Sequence, residues 1–337
     1  MYGGEDMVSL VVIDYKSAER TVRFIKEFYD NLVYEDKANI TVVDNSMDED
    51  NYTALVEGAV ELDLLSIPQD IKDRINRESV QTARIERAVM LNGTRGSVLI
   101  IKSNENGGCP KGNNTGAVAA YQIFRDKYTI FSNSDLFFEK PFDLELITRP
   151  MEVLPDVGIT GPRVVGLDGK RQSPHRKLGI WKMHIFPYLF WPVMSVVNRI
   201  ADRENIFTSM DLRDESGYAY RVMGSFMAVN TKEFFDVGMF DENVFIYGEE
   251  MVLAEKMEGI GKRAYYVNEC EIRHEHGATT KKSFSNIKTQ RLKFDADLYY
   301  QQNYMGASSL EVFLAKLGFG MYERIYFPFK SLLKKES

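Results

Sequence analysis

Four stretches of this sequence concentrate side chains able to bind a cation, hold a phosphate or move a proton. Ser132-Asn133-Ser134-Asp135 directly follows an apolar run at residues 128–131. An aspartate there can simply cap the next element. It is also chemically sufficient for a hard cation, because Mg²⁺ or Mn²⁺ takes one or two carboxylates and fills its other positions with water and substrate phosphates. Glu249 and Glu250 stand side by side at a predicted helix start, closing the block 238–250. The helix dipole favours carboxylates at such a start, and a general base needs one of them aimed into a cleft. Successive helical residues diverge by about 100°, so at most one of the two reaches a given atom.

The third stretch, His274-Glu275-His276-Gly277, holds half of the four histidines. It is not the H-E-x-x-H signature of a zinc protease. On an extended chain both imidazoles point the same way, and one can ligate a metal while the other packs or bonds a carbonyl. The fourth, residues 106–116, is glycine-rich, follows a strand and opens a helix. Such a place can present N–H groups to a phosphate or admit a ligand close to the backbone, and an ordinary tight turn uses glycine equally well. It departs from a P-loop, since Asn113-Asn114 follows Gly112, and from the dinucleotide fingerprint, since Cys109 stands where glycine is required.

The elements that must position these residues read as an α/β chain. Apolar runs at 8–13, 40–43, 98–101 and 128–131 predict strands, and Ser17 is the expected cap of a helix carrying Val22, Ile25, Tyr29 and Leu32 at helical spacing. Every one of these strands ends on Asp or Asn: Asp14, Asp44, Asn104 with Asn106, and Asn133 with Asp135. Ligands of open parallel sheets bind beyond such carboxyl ends, so this is the expected nucleotide site. Residues 52–96 are long for a connection and predict a helical insertion, with 70–90 helical. Beyond Pro150, strands are expected at 157–160, 220–229 and 264–267, and helices from Thr231 and over 249–258. A helical tail over 310–337 is expected to break at Gly318 and Gly320.

The composition sets outer bounds. A chain of 337 residues that is 44% apolar buries a substantial core, and 42 basic against 49 acidic residues argue against a duplex nucleic-acid partner. Cys109 and Cys270, far apart, exclude a disulfide scaffold and a cysteine zinc site. The N-terminus lacks the basic and apolar regions of a secretory signal, so a cytoplasmic location is expected. Residues 183–197 are too short and too interrupted, by His184, Pro187 and Pro192, to span a bilayer. With Trp181, Phe186 and Trp191 beside Lys177 and Lys182, they suit either a membrane interface or a core segment. Lys281, Lys282, Lys288, Arg291 and Lys293 form a basic run that suits a solvated face or a loop closing on a diphosphate.

Taken in order, these residues resemble glycosyltransferase family 2, the inverting nucleotide-sugar transferases of the GT-A fold, and particularly its rhamnosyltransferase-like and polysaccharide-assembly members. The marks are Val42-Val43-Asp44-Asn45-Ser46, Gly112-Asn113-Asn114-Thr115-Gly116, Asn133-Ser134-Asp135 as a variant D-x-D, Gly224-Ser225-Phe226-Met227, the block 240–250, and His274 with Gly277. The resemblance implies a Rossmann-like, mostly parallel sheet in a catalytic domain over 1–280, with a nucleotide half to about 140 and an acceptor half after it. Residues 281–337 would be a basic loop and helical extension. Asp14, Tyr15 and Asp44 would hold base and ribose, Asn106 and Lys111 would border the nucleotide, and Ser134 would join them. Asp135, Asn133 and His274 would hold Mn²⁺ or Mg²⁺, and Glu250, with Glu249 beside it, would be the base, where the family usually has Asp after Glu. The implied donor is a UDP- or dTDP-sugar and the acceptor a saccharide or lipid-linked saccharide at the inner face of the cytoplasmic membrane. A nucleotide-binding relative without activity, partner in an assembly complex, is the alternative.

Overall fold

The computed structural model describes residues 8–33, 37–62, 66–191, 193, 209–275 and 286–326. The strands are β1 (Val8–Asp14), β2 (Ala38–Asp44), β3 (Gln69–Asp70), β4 (Ile85–Asn92), β5 (Ser97–Ser103), β6 (Tyr128–Ser132), β7 (Leu136–Phe137), β8 (Val157–Gly166), β9 (Gly217–Ala219), β10 (Phe226–Asn230) and β11 (Arg263–His274). They form one sheet in the order β3-β4-β5-β2-β1-β6-β10-β8-β11-β7, with β9 beside β11. The block β5-β2-β1-β6 is parallel, as is the pair β8-β11, and antiparallel β10 joins the two. Helices cover both faces, which is why β1 and β2 read as unbroken apolar runs. Leu10, Val12, Ile40 and Val42 pack with Phe24 and Phe28 of the helix Ala18–Asn31. On the other face, a Cβ on Gly116 of the helix Gly108–Phe124 would come within 2.5 Å of Val11 Cγ1, so glycine lets that helix lie close to the strands.

Parallel pairing in register sets Asp14 opposite Asp44 at the ends of β1 and β2. Both are fully buried. The Asn51 amide sits between them, donating to Asp14 Oδ2 at 2.7 Å and to Asp44 Oδ1 at 3.0 Å. Asp14 Oδ1 also accepts from Ser17 Oγ at 2.9 Å and Thr21 Oγ1 at 2.6 Å. Ser17 stands at the helix cap but makes no capping bond with its own side chain; its hydroxyl serves Asp14 instead. Burial pushes the Asp44 carboxyl above its ordinary range, while bonds from Ser46 and Asn51 pull it back.

Two expectations change. Residues 70–90 are not helical: after the helix Glu49–Glu61 come β3, a 3₁₀ turn at Lys72–Arg74, a helix of four residues, Val80–Ala83, and β4, which extends the sheet antiparallel to β5. Ile71 and Ile75 resemble helical spacing, but they bury against Ile85, Ala88 and Leu99 as the cover of that sheet edge. Gly318 does not break the tail. The helix Ser309–Met321, started by a capping box of Ser308 and Glu311, runs through it. A Cβ at Gly318 would lie 2.7 Å from the Leu189 nitrogen, so this glycine brings the helix against the π-helical segment Trp181–Leu189. Phe294, Phe319, Ile185 and Val312 fill that contact, which makes the segment core on this side.

Replacing Asn51 by Ala leaves two buried carboxylates facing each other without their shared donor. Two hydrogen bonds to charged groups are lost, so we expect a stability loss of about 2–4 kcal/mol at neutral pH, read from urea unfolding. A loss under about 0.5 kcal/mol would show that the bridge carries no weight.

Candidate active site

A cavity of about 590 Å³ opens beyond the carboxyl ends of β1 and β6. It is lined by Ile13, Tyr15, Ser17, Asn45 and Asn106, by Ser132, Asn133, Ser134 and Asp135, and by Arg221, Gly224, Glu249, Glu250 and His274. Tyr15, Asn106, Asn133, Ser134, Asp135, Glu249, Glu250 and His274 thus converge. Three predicted residues do not line it. Asp14 and Asp44 lie beneath it, spent on the Asn51 bridge and the helix start, while Lys111 is partly exposed and pairs with Glu105 at 3.5 Å.

The glycine-rich stretch has a packing role that its composition did not show. Gly108 adopts φ 77°, and a Cβ there would lie 2.0 Å from the Phe245 carbonyl oxygen. That carbonyl accepts from Cys109 N at 2.9 Å, so this amide of the helix start meets main chain. Asn114, from the same stretch, donates to the Phe240 carbonyl at 3.0 Å and accepts from Phe240 N at 3.1 Å. Together these contacts hold the block 240–250 over the cavity.

Asp135 and His274 meet because β7 pairs antiparallel with the end of β11, setting His274 opposite Leu136, while Glu275 N donates to the Asp135 carbonyl at 3.0 Å. His274 is 2% exposed and Asp135 6%. Nε2 of His274 lies 3.2 Å from Oδ1 of Asp135. Gln172 Oε1 stands 2.6 Å from Nδ1 and, as an acceptor, calls for the ring proton there. In the neutral ring Nε2 therefore turns a lone pair towards a carboxylate oxygen that is buried and makes no hydrogen bond among the described residues. Two lone-pair donors facing each other fit a divalent cation. No group of three His, Cys, Asp or Glu assembles among the described residues, so water or ligand oxygens would fill the remaining positions, as is usual for Mg²⁺. Asn133 is exposed, its main-chain N bonded to the Ser225 carbonyl at 2.9 Å. His276, Gly277, Lys281 and Lys282 lie outside the described residues. The rest of the basic run is helical, not a loop: Lys288, Arg291 and Lys293 belong to the helix Asn286–Asn303, where Arg291 pairs with Glu323 and Lys293 Nζ sits 4.8 Å from the Tyr247 ring centroid.

Glu249 and Glu250 begin the helix Glu249–Glu258 after Gly248, whose φ of 80° turns the chain into it. Their environments differ. Glu250 forms an ion pair with Arg221 at 2.8 Å. Burial first, and the charge of Glu250 next, push the Glu249 carboxyl up to about 8, and its Oε2 makes no hydrogen bond among the described residues. Glu249 is thereby suited to hold a proton, while Glu250 lies against a guanidinium. Burial likewise pushes Asp297 up to about 7. Arg221, Asp297 and Gln172 escaped the sequence reading, and Lys293 was read only as part of the basic run. Arg221 sits in a run read only as strand, and Asp297 in the stretch 281–337 read only as a basic loop and extension.

No family profile and no curated protein matches the sequence. Solved structures do. The mannosyltransferase PcManGT from Pyrobaculum calidifontis, in complex with GDP-mannose and Mn²⁺, is 13% identical with a TM-score of 0.51, over 96% of this chain and 71% of that one. GalNAc-T7 with UDP, GalNAc and Mn²⁺ is 13% identical with a TM-score of 0.52, over 97% of this chain and 58% of that one. The fold is the GT-A glycosyltransferase fold. This chain therefore spans under two thirds of the second protein and somewhat more of the first.

The Glu249 shift has a sign that can be checked. Between its ordinary value of 4.5 and about 8, the folded protein holds a proton that the unfolded chain has lost, so stability falls as pH rises through that window. Asp297 acts in the same direction below about 7. Glu249→Gln should therefore gain on the parent in melting temperature from pH 5 to pH 9. Parallel pH profiles would place Glu249 in the ordinary carboxylate range.

Proposed function

We propose that this protein is an inverting glycosyltransferase of the family 2 type, moving a sugar from a nucleoside diphosphate to a hydroxyl of a saccharide acceptor by single displacement. The observation that carries the reading is one cavity lined both by the Asp135–His274 pair and by the Arg221–Glu250 pair. A UDP- or dTDP-sugar would lie against Tyr15, Asn45 and Asp135. Asp135 and His274 would hold Mn²⁺ or Mg²⁺, which when bound offsets the charge growing on the departing diphosphate.

The chain's own residues supply the rest. Glu250, ionised beside Arg221, accepts the proton of the acceptor hydroxyl as its oxygen attacks the anomeric carbon and the bond to the diphosphate breaks. Glu249, holding its proton below pH 8, adds no second negative charge beside that base. The walls orient donor and acceptor and keep water from the anomeric carbon, which is where much of the rate arises. A bacterial surface-polysaccharide role, alongside the rhamnosyltransferase-like and polysaccharide-assembly members and with a lipid-linked acceptor, is the setting this chemistry fits.

Contact with the cytoplasmic membrane's inner face is part of the proposal. Among the described residues no helix is long and apolar enough to cross a bilayer. The helix Ser309–Met321 packs one face inward and leaves Leu310 67%, Phe313 60% and Leu317 44% exposed, with Ile325 beyond it 57% exposed. Such a stripe, near Lys316 and Arg324, suits an anionic lipid surface.

Glu250→Gln should cut transfer by about 10²–10⁴-fold while leaving nucleoside-diphosphate binding intact. Asp135→Ala should weaken binding of nucleotide and metal themselves, read by calorimetry with and without Mn²⁺. Normal turnover by Glu250→Gln, with loss in Glu249→Gln, would exchange the roles of the two glutamates. Nucleotide binding with no product from any acceptor would favour the inactive relative. Phe313→Glu with Leu317→Glu should abolish co-sedimentation with phosphatidylglycerol vesicles; an unaltered pellet, or a parent that stays in the supernatant, would remove the membrane contact.

A further inference from the structure

Gln172 reaches His274 by a route that the strand register builds. In the β8–β11 ladder Gly166 stands directly opposite His274. The chain leaves β8 there, turns through Gly169, whose φ is 78°, and doubles back, with Gly166 N donating to the Lys170 carbonyl and Gln172 N to the Val164 carbonyl, each at 2.8 Å. Gln172 is thereby carried back past Gly166. A Cβ at Gly166 would lie 2.8 Å from Gln172 Nε2, so the missing side chain makes the room through which the amide passes. A second histidine fixes the other end. His175 Nε2 lies 2.8 Å from the Gln172 carbonyl and donates to it, while Nδ1 accepts from Ser209 Oγ at 2.9 Å. Bonds at both its N–H and its carbonyl thus hold the Gln172 main chain in place, and the side-chain amide oxygen ends 2.6 Å from His274 Nδ1.

We propose that Gln172 is the positioning residue of the cation site: its amide oxygen fixes the tautomer and ring angle of His274 and so sets the affinity for a divalent metal. The inference rests on the reading of Asp135 and His274 as metal-holding residues. A ligating histidine is ordinarily oriented through its other nitrogen, and losing that partner costs about 10–100-fold in metal affinity. Here the partner is a neutral amide in place of a carboxylate. A neutral acceptor draws less on the Nδ1 proton and leaves the imidazole a weaker donor, which suits a cation that must come and go with each diphosphate.

The test titrates Mn²⁺ into the full chain by calorimetry with UDP, dTDP or GDP present, beside melting curves in EDTA that report the fold without metal. Gln172→Met fills a similar volume but offers only a weakly accepting thioether; it should bind Mn²⁺ about 10–100-fold more weakly with an unchanged melting curve. Gln172→Glu keeps the acceptor in place and should bind at least as tightly as the parent. Parent-like affinity in Gln172→Met would overturn the proposal. So would a tenfold loss in Gln172→Glu, and that variant decides the matter alone should Gln172→Met fail to fold. Absence of Mn²⁺ binding by the parent with every nucleotide would instead bring down the metal-assisted reading on which the proposal rests.

Discussion

The pairing of β8 with β11 is the constraint on which the candidate site depends. β11 is twelve residues long, and its parallel register against β8 resumes after an irregularity between Val267 and Glu271. A one-residue slip would turn every side chain of the strand to the other face of the sheet. His274 would then leave Asp135, and Gly166 would no longer stand opposite it. The buried side chains along the ladder, among them Ile159, Val164, Tyr266 and Ile272, hold the register from both strands. Apolar burial far from the cavity thus fixes a distance of 3.2 Å between two polar atoms within it.

Charge in the cavity differs between its two polar pairs. Near Asp135 the acidic group faces an imidazole, and both are held by main-chain pairing. Near Glu250 three carboxyls, Glu249, Glu250 and Asp297, share the field of Arg221. Burial first pushes both Glu249 and Asp297 up, and the neighbouring carboxyl of Glu250 adds to each shift. Near neutral pH this side of the cavity therefore carries less negative charge than its composition implies. Asp297 and Lys293 reach it from the helix Asn286–Asn303, so the C-terminal extension forms part of the cavity.

Much of this was legible because local pattern and global fold agree. The apolar runs at 8–13, 40–43, 98–101 and 128–131 are buried strands in the parallel half, and the acidic or amide residue after each lies at the ligand end of the sheet. Asp135, Glu249, Glu250 and His274 could be picked out as polar groups at the ends of apolar elements. Asp14 and Asp44 carry the same local signal and yet serve the scaffold; what separates them is Asn51, a partner whose position follows only from the parallel register. Residues 70–90 misled because Ile71 and Ile75 are spaced as on a helix while they cover a sheet edge. Gln172 and Arg221 had no signal of their own, since each matters through one contact made across the fold.

The contact between Gly108 and Phe245 has a consequence for how far the site can change by mutation. Cys109 N meets the Phe245 carbonyl at 2.9 Å, and no side chain intervenes between the two backbones. The gap between the glycine-rich stretch and the loop carrying the glutamates is therefore the smallest that two main chains allow. Substitutions of neighbouring side chains can reshape the lining on either side without altering that gap. Diversity in what the cavity accepts is thus separable from the spacing of its two halves, and sequence drift around a fixed glycine can alter the pocket while leaving its reactive frame in place.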